Sequence, residues 1–558
     1  MKPWWEEYVG LLNAEYEKLR EIGAEFSERQ DEKARGLLIL DLQYKVGDES
    51  LALEVRFPDV YPYARPEIYA PALALPHHQN PFDKNLCLIG RRTENWTPQM
   101  FLADLLQEQI PKVLEANRRS PEDAGDLEEH QGEPVTAFFN FDPGSVAFVD
   151  GAWNPPAGVM AGEARIAIAR VGETLRAQVL DLTSNGKTFV AQGLAACVPN
   201  AKVVSGRWVQ IDPLILDRDP QAFERHLIER VPPLGRRQYP HGVDAILVGF
   251  AEEHGHRQLG QGWILLVREK AAARGSLRKD RVRLIGVQRV GDTDYAARVP
   301  AFAHLRAKDV TIFGLGCVGA PIALELAKGG VGGIFGVDSD IVDGASTVRW
   351  PLGVDTAGVP KVHALGAFIG AHYPHVQFNG AVHRVGTVGG QQQTITDATL
   401  LPELFNNSDL IIDATAELGI QRLLSDFALR GGVPYIAAHS TNGAHGGQLV
   451  RLQKGTTGCL NCLRWHQFEG TIAEPPFLAG DWSQPAGCAA STFLGASWDL
   501  QEVSLAAARL AVGTLMGDGQ EWDVAVLAMV DETGRPQPPS WRTFQLRQHP
   551  RCVPCLAK

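Results

Sequence analysis

The run Val310-Thr-Ile-Phe-Gly-Leu-Gly-Cys-Val-Gly319 constrains this chain more than any other segment. Four residues of strand character lead into three glycines in a Gly-x-Gly-x-x-Gly spacing, and the helical pattern APIALELAKGG follows at once. A second strand, GGIFGVDSD, then ends at Asp338, 24 residues after Gly314. A strand, tight glycine turn, helix and strand in this order predict a doubly wound parallel sheet. Its first turn can hold phosphate on backbone N–H groups and its next strand can offer a carboxylate to a ribose hydroxyl. Apolar strands recur at Leu410 to Ile412 and Tyr435 to Ala438, alternating with helices, and extend the same architecture.

A dehydrogenase would share those features, so the distinction rests on charge. Asp340, Ser346, Arg349 and Lys361 fall within one turn-rich segment, and two cations there suit a triphosphate undergoing displacement better than a nicotinamide. Asp413, ending the strand LIID, stands at the carboxyl edge of the same sheet as the candidate for magnesium. The segments GLGCVG, VDSDIVDGASTVRW, GVPKVHAL and IIDATAE together resemble the adenylation domain of ubiquitin-activating enzymes and of the bacterial ThiF and MoeB group. That resemblance implies a Rossmann-like ThiF domain that adenylates the C-terminal carboxylate of a ubiquitin-like or sulfur-carrier protein. It also implies that Gly314, Gly316 and Gly319 line the phosphates of ATP, Asp338 binds ribose, Arg349 and Lys361 grip the triphosphate, and Asp413 serves ATP and magnesium. The family commonly has Asn where Ser346 stands and a second acid where Ala416 stands.

The chain has 8 cysteines, four of them in the pairs Cys459-Leu-Asn-Cys462 and Cys552-Val-Pro-Cys555. Four thiolates in two Cys-x-x-Cys pairs are the complement of a tetrahedral structural zinc. Cys488 follows the long loop EPPFLAGDWSQPAG, which resembles the placement of the cysteine that attacks the acyl-adenylate in ubiquitin-activating enzymes. Cys197 is assigned to packing and Cys317 to a non-catalytic position in the glycine turn.

At the other end of the chain, residues 4 to 22 carry an apolar stripe at helical spacing. Leu37 to Val46 and Leu51 to Phe57 read as a hairpin around Gly47-Asp48-Glu49-Ser50, and Phe101 to Leu114 reads as a helix. Phe57-Pro58, Tyr61-Pro62, Arg65-Pro66, His77-His78, Asn85-Leu-Cys87-Leu and Trp96-Thr-Pro98 occur in an order that resembles ubiquitin-conjugating enzymes over residues 1–116. The resemblance implies an α+β fold with Cys87 as the conjugating cysteine. A thiolate accepts an acyl group from another thioester at little free-energy cost and keeps it activated for an amine. The family's His-Pro-Asn is replaced by His77-His78-Gln79-Asn80, which leaves Asn80 or Asn85 to stabilise the oxyanion, and Arg91-Arg92 forms a basic flank.

At 558 residues the chain has room for several cores. The division predicted is a conjugating-like domain over 1–116, a polar, acidic linker over 117–134, an α/β middle domain of unassigned role over 135–304, and the adenylation domain with its zinc site over 305–558. A net charge of -12 argues against a chain-wide nucleic-acid surface. The N-terminus has neither the basic flank nor the apolar stretch of a secretory signal, so a soluble cytoplasmic protein with no membrane contact is expected.

Both resemblances in one polypeptide are similar to the fused activating and conjugating enzymes of CBASS-type antiphage operons. They imply an ATP-dependent enzyme that adenylates the C-terminus of a ubiquitin-like protein or of a cGAS-like nucleotidyltransferase. The acyl group then passes through Cys488 and Cys87 to an amine on an acceptor protein, within a homodimer. The alternatives are a sulfur-carrier adenylyltransferase and a scaffold with an inactive conjugating-like domain.

Overall fold

The computed structural model describes the chain except residues 1, 90–95, 119–132, 152, 154, 156–159, 191–197, 256–257, 271–279, 389–394, 478–481, 484–491, 519–520 and 557–558. Cys488, Cys197, Arg91-Arg92 and most of the expected linker therefore lie outside the described residues. The chain divides into two compact units, one holding most of residues 1–288 and the other most of 289–558.

The first unit opens with α1 (Val9–Glu21), preceded by a single turn over Trp4–Glu7. The expected continuous helix breaks at Tyr8, which lets Trp4 pack against Phe57 and Tyr61 while the α1 stripe faces the sheet. The antiparallel strands β1 (Glu25–Glu28), β2 (Ile39–Val46), β3 (Glu49–Arg56) and β4 (Glu67–Tyr69) pair in sequence order. Val46 pairs directly with Glu49, so the turn is only Gly47-Asp48, tighter than the four residues expected. Leu40, Leu42, Leu53 and Val55 alternate onto the buried face and meet α2 (Leu102–Arg118) in one core.

The remainder of this unit is an eight-stranded sheet. Its strands are β5 (Val146–Asp150), β6 (Ala161–Val171), β7 (Thr174–Ser184), β8 (Lys187–Val190), β9 (Lys202–Gln210), β10 (Val243–Gly255), β11 (Gln258–Glu269) and β12 (Arg281–Val290), in the order β5-β12-β11-β10-β9-β6-β7-β8. Most pairings are antiparallel, and α3 (Pro220–Arg230), capped by Asp219, packs Phe223 and Leu227 against it. The N-terminal segment meets the segments that flank this sheet: Arg218, just before α3, pairs with Asp83 at 2.8 Å, and Phe82 packs edge-on against Phe139, ahead of β5.

The second unit is built on an eight-stranded sheet in the order β15-β14-β13-β16-β17-β18-β19-β20. In chain order its elements are β13 (Asp309–Phe313), α4 (Gly319–Gly329), β14 (Gly333–Val337), α5 (Lys361–His372), β15 (Gln377–Ala381), α6 (Asp397–Asn406), β16 (Leu410–Asp413), α7 (Leu418–Gly431) and β17 (Tyr435–Ser440). There follow β18 (Gly446–Leu452), α8 (Leu460–Phe468), α9 (Ser497–Met516), β19 (Val524–Val530) and β20 (Pro536–Phe544). Strands β15 to β17 in that order are all parallel, and β18 to β20 continue the sheet antiparallel. The central strands read as unbroken apolar runs because helices cover both faces. Their carboxyl ends gather Gly314, Asp338 and Asp413 at one edge, where such sheets bind ligands.

Candidate adenylation site and cysteine centres

The glycine turn is dictated by close approach. Gly314 sits at φ +81°, and a Cβ there would lie 2.8 Å from the Ala414 backbone; one at Gly319 would lie 1.8 Å from the Gly314 carbonyl. A Cβ at Gly316 would meet nothing within 4 Å, so this glycine leaves open space over the turn. Asp338 locks the turn from the next strand, its carboxylate accepting from the Leu315 N–H at 2.6 Å and the Asp340 N–H at 2.7 Å. Burial pushes the Asp338 carboxyl above its ordinary range, against the pull of nearby Lys361. The Trp350 indole donates to the Leu315 carbonyl at 2.8 Å and so pins the segment after β14 onto the same turn.

That segment delivers the two cations. Asp343 accepts from the Ser346 N–H at 3.0 Å and its hydroxyl at 2.9 Å, winding Gly344–Val348 into a short 3-10 turn that ends at Arg349. Lys361 opens α5, and its Nζ lies 2.8 Å from Asp340 Oδ2. Both cations converge on the glycine turn: burial raises the Cys317 thiol, while Arg349 and Lys361 act on it in the opposite sense and Arg349 hydrogen-bonds it. The turn, its carboxylate and two cations thus form an anion cradle, as a nucleotide triphosphate requires.

Asp413 is more enclosed than its position at a strand end suggests. It has no exposed surface; Oδ1 accepts from the Thr415 N–H and hydroxyl at 3.0 and 2.7 Å, and the Tyr435 hydroxyl lies 2.9 Å from Oδ2. Burial pushes its carboxyl up to about 6, and among the described residues no Lys or Arg forms an ion pair with it. Both oxygens are held by protein donors, and a divalent cation beside this carboxyl would favour its ionised form. Ala416 leaves the position of the family's second acid without a ligand atom.

The four paired cysteines do meet. Their sulfurs are 3.4 to 3.8 Å apart in the Cys459–Cys555, Cys459–Cys552, Cys462–Cys555 and Cys459–Cys462 pairs. All four lie within 4.8 Å of one another. Ligands about 2.3 Å from a tetrahedral zinc stand about 3.8 Å apart, so the donor set and its size both fit that ion. The His549 N–H points at Cys462 Sγ from 3.3 Å, and its ring pairs with Glu469 at 3.0 Å. Such outer contacts hold ligating sulfurs in place.

In the first unit, the half-buried Cys87 donates its backbone N–H to the His78 carbonyl at 2.8 Å. The segment that replaces His-Pro-Asn is clasped from outside. The Asn117 side chain accepts from the His77 N–H and donates to the His77 carbonyl, and His77 Nδ1 lies 3.3 Å from Glu253 of β10. Glu133 accepts from the His78 N–H at 2.7 Å and faces the His78 ring at 2.9 Å. Burial pushes Glu133 up, but His78 outweighs it and holds the carboxyl below its ordinary value. Asn80 is committed elsewhere: its carbonyl oxygen accepts from the Phe82 and Asp83 amides, and its nitrogen reaches Asp83. It therefore serves the turn, and an oxyanion role for it would require that turn to open. Asn85 is half-buried two residues before Cys87.

A family model described as the ThiF family matches residues 283–546, and one described as prokaryotic E2 family B matches residues 19–140. Two uncharacterised proteins of Sinorhizobium fredii align over nearly the full length. The protein y4oA is 30% identical, with 98% of this chain and 97% of the relative covered. The protein y4qC is 31% identical, with 97% and 95% covered. The chain belongs to the ThiF family. Its amino-terminal part belongs to prokaryotic E2 family B. This chain is also 28% identical over 275 residues to the adenylyltransferase and sulfurtransferase uba4 of Aspergillus niger, covering 46% of this chain and 49% of that protein.

Several ThiF-domain and E2-domain contacts carry no signal in the sequence. Trp350 reads as an ordinary core aromatic until its indole is seen on the Leu315 carbonyl. Glu133 and Glu253 are single acids far from Cys87 in the chain, and only folding brings them to the His77-His78 segment.

Proposed function

We propose that this protein adenylates the C-terminal carboxylate of a protein substrate with ATP and carries the acyl group as a thioester for transfer to an amine. The observation that supports this best is the convergence of Arg349, Lys361 and the amide-bound Asp338 on one glycine turn. In that reading Asp338 orients the ribose. Arg349 and Lys361 neutralise charge as a carboxylate oxygen attacks the α-phosphorus and pyrophosphate leaves. Asp413 would hold magnesium together with the phosphates, adding further charge neutralisation. Cys459, Cys462, Cys552 and Cys555 would hold a structural zinc. The Cys488 thiolate then displaces AMP from the acyl-adenylate, and Cys87 takes the acyl group by thioester exchange before an amine attacks it. The substrate expected is a ubiquitin-like protein or the C-terminus of a cGAS-like nucleotidyltransferase, in a homodimeric, cytoplasmic enzyme of antiphage defence.

Likeness to uba4 supports a second reading, a sulfur-carrier adenylyltransferase in which Cys87 takes no part. Trapping a thioester on Cys87 separates the two. The adenylation step is tested by ATP–pyrophosphate exchange with the products of neighbouring genes as protein substrates. Exchange should fall by at least ~10²-fold in the Arg349→Ala, Lys361→Ala double variant, the scale of losing a preorganised electrostatic group. Undiminished exchange would remove the site assignment.

A further inference from the structure

Beside the adenylation site the second unit holds a cavity of about 270 Å³ between α7, β17, β18 and α8. Its wall begins one strand from Asp413, since Ala437 lines it and pairs in register with Asp413. The Tyr435 hydroxyl links the two places, lying 2.9 Å from Asp413 Oδ2 and 3.3 Å from the Gln421 carbonyl.

The lining is rich in hydrogen-bond donors without partners. Gln421 and Gln448 are 5% and 4% exposed, and among the described residues neither side-chain amide nitrogen has an acceptor. His439, paired across the strands with Gln448, likewise leaves Nδ1 without a partner. Burial, with help from Arg464, pushes the His439 ring down to about 4, so it is neutral at physiological pH. Arg422 and Arg464 stand at the exposed rim, with Glu474 as the one acid of the lining among the described residues. Buried donors lacking acceptors carry a desolvation penalty that a suitable ligand would relieve. Two guanidiniums against one carboxylate bias the rim toward an anion. The volume is below the usual range for drug-sized ligands, which begins at about 300 Å³, and suits one side chain with its adjoining backbone.

We propose that this cavity binds an acidic side chain near the C-terminus of the protein substrate, setting which carboxyl tails reach the adenylation site. The peptide as occupant rests on the proposed adenylation activity; the preference for a carboxylate rests on the donors alone. Arg464 pairs with the carboxylate at the rim, while Gln448 and Gln421 donate to its inner oxygen and to peptide carbonyls.

The test uses the full-length protein without ATP, so that failure of the nucleotide site does not enter. Fluorescein-labelled alanine pentapeptides with a free C-terminus, carrying Glu, Gln or Leu at each position in turn, are titrated by fluorescence anisotropy. Glu should bind at least about tenfold more tightly than Leu in one register. Arg464→Gln and Gln448→Met should each remove that preference while keeping the wild-type melting temperature. No register with a preference for Glu, or a preference that persists in both variants, would overturn the proposal. So would glutarate competing as well as the peptide, which would make the occupant a free dicarboxylate. If the Glu preference holds but pyrophosphate exchange is never found, the cavity's preference for a carboxylate stands and only the adenylation reading, with its substrate tail, falls.

Discussion

Glu15 shows how one residue can set the pH response of a core. It lies on α1 with no exposed surface, against the Tyr61 hydroxyl and the Leu102 N–H, and burial pushes its carboxyl from 4.5 up to about 7. A raised acid is protonated longer in the folded than in the unfolded state, so stability falls as pH rises from 4.5 through 7. The penalty is absent below that window and complete above it, at roughly 3 kcal/mol. Glu15→Gln removes this ionisation, so the loss of denaturation midpoint between pH 5 and pH 8, followed by tryptophan fluorescence, should be smaller than in the wild type, the remainder coming from other raised acids such as Asp413. An undiminished pH slope in the variant would place its origin elsewhere. Sequence periodicity gives no hint of this, because Glu15 occupies a position that a polar helix face would also fill.

At the scale of elements, what could be read in advance was what local chemistry determines. The ThiF glycine turn was legible because only glycine tolerates φ +81° at position 314 and a carbonyl 1.8 Å from a Cβ at 319. The β2–β3 hairpin was legible from its alternating leucines, but its turn length was not, since Glu49 and Ser50 suit either strand or turn. The antiparallel middle sheet gave only scattered apolar runs, and its strand order depends on pairings far apart in the chain. The two Cys-x-x-Cys pairs were legible as a set because that spacing brings two thiols per pair to one point, and the four do meet. If the set holds zinc, metal analysis by mass spectrometry should find one ion per chain, and Cys555→Ser should release it and lower the melting temperature by at least about 5 °C. A zinc-free protein that melts at the wild-type temperature would count against the site.

For the whole molecule, the decisive structural fact is that the E2-like segment is no head on a free tether. Its Asp83 pairs with Arg218, Phe82 packs on Phe139, and His77 reaches Glu253, all across to the middle sheet or the segments that flank it, within one unit. The helix α2 also continues through Asn117 and Arg118, residues that composition assigns to the linker. A coil of about 18 residues would sweep only about 20 to 25 Å, and with the head packed on the sheet even that reach is not available to Cys87. No membrane-crossing helix exists among the described residues to anchor either unit. Cys87 therefore travels only with the whole first unit, and the proposed homodimer supplies a second Cys488. We therefore expect handoff in trans, from Cys488 of one chain to Cys87 of the other. Cys87→Ala and Cys488→Ala chains, each inactive alone, should regain transfer to an amine acceptor when mixed and allowed to exchange into heterodimers. Heterodimers that form, confirmed by differential tags, yet stay inactive would reject the trans route and leave transfer to the cysteines of a single chain.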